Sequence, residues 1–314
     1  MARPPARSAL QAAIQIGTWA EDEEFGIHPY GSKSKRTLVA PAAATHPLLI
    51  PGHKYLFKKA DDWKAQQMWS EALAFQIGAV AGLPVPPCFV AIDETTDEAG
   101  ALIEFFYGYP GEQRAARLEH GADLLQGAGL MDGGGRPHAI SVNLAYCEAA
   151  AIPDAHRWWG AVLAFDAMIG NTDRHSQNWG LLVDADGRRR LAPMFDNGTS
   201  LAYQIAEGAL TAATRDEALQ RFVSKGRHSA DWTTADPHAL NHVGLCERFA
   251  AAHPDAAGAM RKALDVSDAA VAGFLQDCIA IDVVPRFTAE RAAMVAALIA
   301  RRRDLVLQAL RSIR

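Results

Sequence analysis

A chain of 314 residues, 49% hydrophobic and 21% charged, is long and apolar enough to bury a large core in one large or two moderate domains. Its formal net charge of −5 argues against dedicated nucleic-acid binding, and no run approaches the roughly eighteen apolar residues that a membrane-spanning helix needs. The four cysteines form no Cys-x-x-Cys pair, which points to free thiols in a reducing, cytoplasmic compartment.

In chain order, Met1-Ala2-Arg3-Pro4-Pro5 has basic character but no apolar run behind it, so it does not read as a secretory signal. Gly31-Ser32-Lys33-Ser34-Lys35-Arg36-Thr37-Leu38-Val39 reads as a loop. Its hydroxyls and cations suit either a cover over phosphates, through backbone N–H groups and charge, or a basic surface loop. In Lys54-Tyr55-Leu56-Phe57-Lys58-Lys59, Tyr55 to Phe57 are strong strand formers. Side chains alternate along a strand, so Lys58 and Lys59 face opposite ways and one of them can enter a cleft. A helix opens at Trp69 and stops before Gly82 and Pro84. Its Glu71 is either the partner of that lysine or a carboxylate placed for the helix dipole.

Residues 88–92 and 101–106 read as strands joined by the acidic turn 93–100. From Pro110 onward the pattern is largely helical, with Met131-Asp132-Gly133-Gly134-Gly135-Arg136-Pro137 as a flexible loop. Residues 158–169 are long and apolar enough for a buried helix, which Gly170 breaks. Residues 179–183 and 188–192 read as a hairpin around Asp184-Ala185-Asp186-Gly187, ended by Pro193. The segment from Phe222 to Ser229, with Lys225, Arg227 and His228, reads as a solvated turn, or more sharply as a phosphate-binding one. Residues 288–314, carrying Arg301-Arg302-Arg303, read as an amphipathic C-terminal helix rather than a nuclear signal.

The chemistry concentrates between that buried helix and the hairpin, in Gly170-Asn171-Thr172-Asp173-Arg174-His175-Ser176-Gln177-Asn178. Asp173 and Asn178 have the Asp-x-x-x-x-Asn spacing of a kinase catalytic loop, where the aspartate accepts the proton of the attacking hydroxyl and the asparagine holds magnesium. Asp196 lies across the hairpin and is the natural second ligand, because Mg²⁺ takes hard oxygen atoms. The same residue types also make ordinary turns; the combination with a later Phe195-Asp196 is what favours catalysis. His175 is placed to orient the loop. Arg174 either neutralises charge near a transferred phosphoryl group or braces the loop. Asn197-Gly198-Thr199 fits a glycosylation acceptor, but its place beside a metal carboxylate argues against that reading.

The Gly-Asn-Thr-Asp-Arg-His-x-x-Asn core, followed by Ala-Pro-x-x-Asp, resembles the HipA-like serine/threonine kinases, a bacterial toxin-type group. The shorter Asp-Arg-His-x-x-Asn core is also similar to phosphoinositide-type lipid kinases. The HipA-like resemblance extends over most of the chain, with the catalytic segment as its specific part. It implies an α+β, two-lobed protein-kinase-like fold, with a small mixed β-rich lobe over 1–108 and a large, mainly helical lobe over 109–314. ATP and Mg²⁺ would lie between the lobes. The family's apolar-apolar-Lys pattern implies Lys58 rather than Lys59 as the nucleotide lysine, with Glu71 as its partner. Backbone groups near Glu104 to Phe106 would read adenine at the hinge. No Gly-x-Gly-x-x-Gly precedes Lys58; Ser32 and Ser34 stand where relatives carry a serine-containing loop that phosphorylation can regulate.

The implied activity is ATP-dependent phosphoryl transfer to a protein hydroxyl, with autophosphorylation. A kinase for a small molecule or lipid headgroup and a nucleotide-binding pseudokinase are the alternatives. A DNA-binding antitoxin partner and aminoacyl-tRNA synthetase substrates follow from the resemblance alone. The chain leaves little room for the extra N-terminal subdomain of the longest members.

Overall fold

The computed structural model describes residues 12–22, 35–43, 47–112, 116–131, 139–236 and 238–313. Ser32, Ser34 and the glycine-rich stretch 132–137 lie outside the described residues.

The N-terminal lobe is a six-stranded sheet on one long helix. Its strands are β1 (Ile14–Gln15), β2 (Ala20–Glu21), β3 (Lys35–Val39), β4 (Lys54–Lys59), β5 (Cys88–Asp93) and β6 (Glu98–Glu104), in the order β1-β5-β6-β4-β3-β2. In β4, Tyr55 and Phe57 are buried in the core while Lys58 lies on the other face, as the two-residue period requires. Two expectations change here. Lys35 to Val39 is a strand and not part of a loop: Thr37 and Leu38 are buried, and antiparallel pairing sets Lys35 opposite Lys58. The charged Lys35 and Arg36 obscure what the following Thr-Leu-Val favours. The turn expected over 93–100 shrinks to 94–97, because Asp93 pairs with Glu98 and the ladder continues. Asp93 accepts bonds from Thr95 and Arg36, which hold its pKa at about 2. At its far end β6 stops at Glu104, so Phe105 and Phe106 follow the strand rather than belong to it.

Helix α1 (Gln67–Val80) starts two residues before Trp69 and packs its buried face on this sheet. It also ties the lobes together. Trp69 Nε1 donates to the Pro285 carbonyl at 2.9 Å, and Ser70 Oγ to the Ser200 carbonyl at 2.9 Å.

The C-terminal lobe contains helices α2 (Gly121–Gly127), α3 (Ile140–Ala149), α4 (Ala155–Ile169), α5 (Leu210–Ala213), α6 (Asp216–Lys225), α7 (His242–Ala252), α8 (Ala257–Ala263), α9 (Asp268–Ala280) and α10 (Ala289–Ala309). A small sheet of order β7-β8-β9 comprises β7 (Arg117–His120), β8 (Gly180–Val183) and β9 (Arg189–Leu191). The hairpin β8–β9 is the one expected. β7 is an addition, invisible beforehand because Arg-Leu-Glu-His shows no strand-like alternation of apolar residues. Helix α4 is the axis of the lobe, buried along nearly its whole length and packed against α7, α8 and α10. The expected turn at 222–229 is also corrected. Residues 222–225 end α6, and His228 is buried against Asp166 rather than solvated. All four cysteines are free and buried. Among the described residues, no helix is long and apolar enough to cross a membrane.

Gly180 is required by the close approach of β7 and β8, since a Cβ there would lie 2.3 Å from the Glu119 carbonyl oxygen. Gly180→Ala should therefore force the strands apart and destabilise the fold by about 1–3 kcal/mol, the usual range for overpacking. A denaturation midpoint equal to that of the wild type would contradict this packing.

Candidate active site

Helix α4 ends at Gly170, whose φ of +70° turns the chain sharply off the helix axis into the loop. The loop then folds on its own polar groups. Asn171 Oδ1 accepts the Asp173 N–H at 3.0 Å, and the Asp173 carbonyl accepts both the His175 N–H at 2.8 Å and the Asn178 side-chain amide at 2.6 Å. With its side-chain nitrogen engaged in this way, Oδ1 of Asn178 is the side-chain atom left to meet a cation. His175 Nδ1 accepts the Gln177 N–H at 3.2 Å, and its Nε2 lies 3.4 Å from Asn178 Nδ2 and 3.8 Å from an Asp173 carboxylate oxygen.

Asp173 stands at the floor of the cleft with its side chain 48% exposed. Burial of the remainder raises its pKa, the nearby Asp196 carboxylate adds to the shift, and His175 and the Thr199 hydroxyl oppose it. Thr199 Oγ1 donates to Asp173 at 3.4 Å and accepts from Gln67 of α1 at 3.2 Å. From the sequence, Thr199 stood out only within the Asn197-Gly198-Thr199 acceptor pattern, and Gln67 not at all.

Arg174 turns out to brace the loop, and its candidacy as a group touching a transferred phosphoryl is corrected. Its side chain is 0% exposed. Nε and Nη2 grip the two oxygens of Asp166 at 3.0 and 2.8 Å, Nη1 donates to the Asn178 and Phe195 carbonyls, and Nη2 donates to Asn197 Oδ1. One guanidinium thus joins α4, the loop and the residues on both sides of Asp196. Asp166 carries a readable signal, a single carboxylate in the apolar run Ala164-Phe165-Asp166-Ala167-Met168, which must find a partner when buried. Burial alone would raise its pKa, but Arg174 and His228 hold it far below the ordinary carboxylate range.

From the other lobe, Lys58 Nζ donates to Glu71 at 2.8 Å and to Asp196 at 2.7 Å. Burial disfavours the ammonium, yet the two carboxylates outweigh it and raise the Lys58 pKa. Glu71 also accepts the Asn197 N–H at 3.0 Å, fixing the backbone next to Asp196. Asp196 adopts φ +60°, a left-handed conformation that aspartate tolerates better than most residues. Burial pushes its pKa up, but Lys58 pulls it well below the usual range, so it is an anion. Lys59 pairs instead with Glu98 at 2.7 Å, near the rim. Lys35, opposite Lys58, adds a second cation to the cleft; burial and the Lys58 charge lower its pKa.

At the hinge, Glu104 is buried and its carboxylate accepts from the Tyr55 and Tyr109 hydroxyls, both at 3.3 Å. The Glu104 N–H is engaged by Pro87, the Phe105 N–H by Lys54, and the Phe105 carbonyl by His53. Within the Glu104–Phe106 stretch expected to read adenine, Phe106 lines the cleft together with Glu104. It stacks on Phe195 with ring centroids 5.6 Å apart.

The cleft enclosed by these groups has a volume of about 710 Å³. Leu56, Ala101, Ile103 and Phe106 line an apolar end, and Lys58, Asp173, Asn178 and Asp196 a charged one. The chemistry of the donor set fits a magnesium nucleotide: a carboxylate and an amide oxygen for a hard cation, a second carboxylate for the proton of an acceptor, lysines for phosphates, and an apolar slot for a base.

A family model described as the HipA-like C-terminal domain matches residues 32–270. No curated protein matches the sequence significantly. Among solved structures, the chain is similar to the Helicobacter pylori proinflammatory kinase CtkA, with TM-score 0.72 and 14% identity, over 96% of this chain and 97% of that one. It is also similar to HipA of Shewanella oneidensis MR-1, solved with HipB and its operator DNA, with TM-score 0.54 and 14% identity, over 93% of this chain and 68% of that one. At such identity the likeness is one of fold, and the fold is two-lobed and kinase-like.

Proposed function

The chain belongs to the HipA-like C-terminal domain family, and on that footing we propose that it is an ATP- and Mg²⁺-dependent phosphotransferase acting on a protein serine or threonine. The observation that carries this reading is the convergence of Asp173, Asn178 and Asp196 from one lobe with the Lys58–Glu71 pair of the other on a single cleft.

Lys58 would hold nucleotide phosphates, kept charged and in place by Glu71. Asn178 and Asp196 would hold Mg²⁺, which when bound supplies positive charge against the phosphate oxygens. Asp173 accepts the proton of the acceptor hydroxyl as its oxygen forms the new bond to the γ-phosphorus, and ADP leaves. Catalysis on this scheme is positioning and electrostatics, which accords with a site whose parts are cross-braced by Glu71 and Arg174. The Shewanella protein is solved with HipB and operator DNA; by family membership we extend to this chain an antitoxin-type protein partner and a cytoplasmic setting.

Intact-mass measurement after incubation with ATP–Mg²⁺, beside Asp173→Ala, tests the proposal. The expected result is phosphate on the wild type alone, mapped to Ser32 or Ser34. Wild type and variant remaining equally unmodified would overturn autophosphorylation. ATP turnover with protein, lipid-headgroup and small-molecule acceptors would then separate a kinase for another acceptor from a pseudokinase that binds nucleotide without turning it over.

A further inference from the structure

On the C-terminal lobe, away from the cleft, three residues from separate segments converge. His156 lies in the first turn of α4, His253 directly follows α7, and Asp255 lies in the single turn that leads to α8. Their ligand-capable atoms all lie within 4.8 Å of one another. The two imidazoles are packed together, with ring centroids 4.1 Å apart. A fourth group, Glu148 near the end of α3, places Oε1 3.0 Å from His156 Nε2. His156, Asp255 and Glu148 border a concavity of about 350 Å³. Asp154 is also there, and the one arginine lining the concavity, Arg157, is paired with Asp154 at 3.5 Å.

We propose that His156, His253 and Asp255, supported by Glu148, form a binding site for a divalent transition-metal ion of the zinc class, which would staple the start of α4 to the α7–α8 junction. Two imidazoles and a carboxylate are the donor set that zinc accepts in four-coordinate sites. A carboxylate on a histidine ring is the usual support for such a ligand, fixing ring orientation and tautomer. Tetrahedral binding at about 2.0–2.1 Å needs donors roughly 3.4 Å apart, so side chains at this half-exposed surface must close by little more than an ångström. The staple would act on α4, the helix that ends at Gly170 and launches the Asp173 loop.

The test is zinc content and affinity of the full-length protein after equilibrium dialysis, read by elemental analysis and so independent of any phosphotransfer. One zinc per chain is expected for the wild type. At least a tenfold loss of affinity is expected in His253→Ala and in Asp255→Asn, an exposed position chosen in case the first variant folds poorly. Glu148→Gln should weaken binding by about 10–100-fold. Asp196→Ala, which removes the carboxylate assigned to Mg²⁺ in the cleft, should leave zinc binding at the His253 site intact. At a zinc concentration about 100-fold over Kd, the wild-type melting midpoint should rise by about 4 °C, a shift missing from His253→Ala. Absence of stoichiometric zinc from the wild type, or zinc that is lost in Asp196→Ala and kept in His253→Ala, would overturn the assignment.

Discussion

Asp173→Asn is expected to lower the rate of phosphoryl transfer by about 10²–10⁴-fold, the usual contribution of a positioned general base, without weakening nucleotide binding. Asp173 takes no part in the Lys58–Glu71–Asp196 cluster that would hold the phosphates and metal, and an asparagine preserves its shape. The loss should therefore fall on kcat, with the nucleotide dissociation constant held within about threefold.

The pH dependence carries a sign. Because the folded state raises the Asp173 pKa, the acid limb of the wild-type profile should begin above the ordinary carboxylate range as Asp173 takes up its proton. The same shift means the folded chain binds that proton more tightly than the unfolded chain, so ionised Asp173 opposes folding at neutral pH. Asp173→Asn should then melt no lower than the wild type at pH 7, separating loss of activity from loss of structure. A variant that loses nucleotide affinity in step with rate, or that melts well below the wild type, would show Asp173 to be a structural residue.

Much of this site was legible because the chemistry imposes spacing. The interval from Asp173 to Asn178 and the hairpin return to Asp196 can be read from residue order, and the alternation of β4 restricts the cleft lysine to Lys58 or Lys59. What stayed hidden depends on contacts distant in sequence. Nothing near Lys35 reveals that it faces Lys58, since the pairing of β3 with β4 decides that. Arg301, Arg302 and Arg303 read as one charge run, yet the first binds Asp216, the second is buried against the Ala167 carbonyl, and the third pairs with Asp268. Consecutive residues on a helix point about 100° apart, so a packed helix sends them to different neighbours. Glu104 was legible as part of the hinge but not as a buried carboxylate, because one of its tyrosine partners, Tyr55, lies 49 residues away on β4.

The larger effect on stability is expected at Arg174. Truncation to alanine leaves the buried Asp166 in the last turn of α4 without its bidentate partner, and removing one member of a buried pair costs about 3–5 kcal/mol. That is a large share of the roughly 5–15 kcal/mol by which native proteins exceed their unfolded states. Because the folded state depresses the Asp166 pKa, the stabilisation from its ionised form is complete above the ordinary carboxylate range and is lost as pH falls below it. Arg174→Ala should accordingly show a lower denaturation midpoint at neutral pH and a shallower loss on acidification than the wild type. Removing both charges in Asp166→Leu/Arg174→Met should recover much of the stability, since apolar replacements of a buried pair are often neutral or better. It should not recover activity, because Arg174 also holds the Asn178 and Phe195 carbonyls and Asn197 on either side of Asp196. If the double variant were both stable and active, Arg174 would be only the counter-ion of Asp166, and the metal-binding segments would be set by the backbone alone.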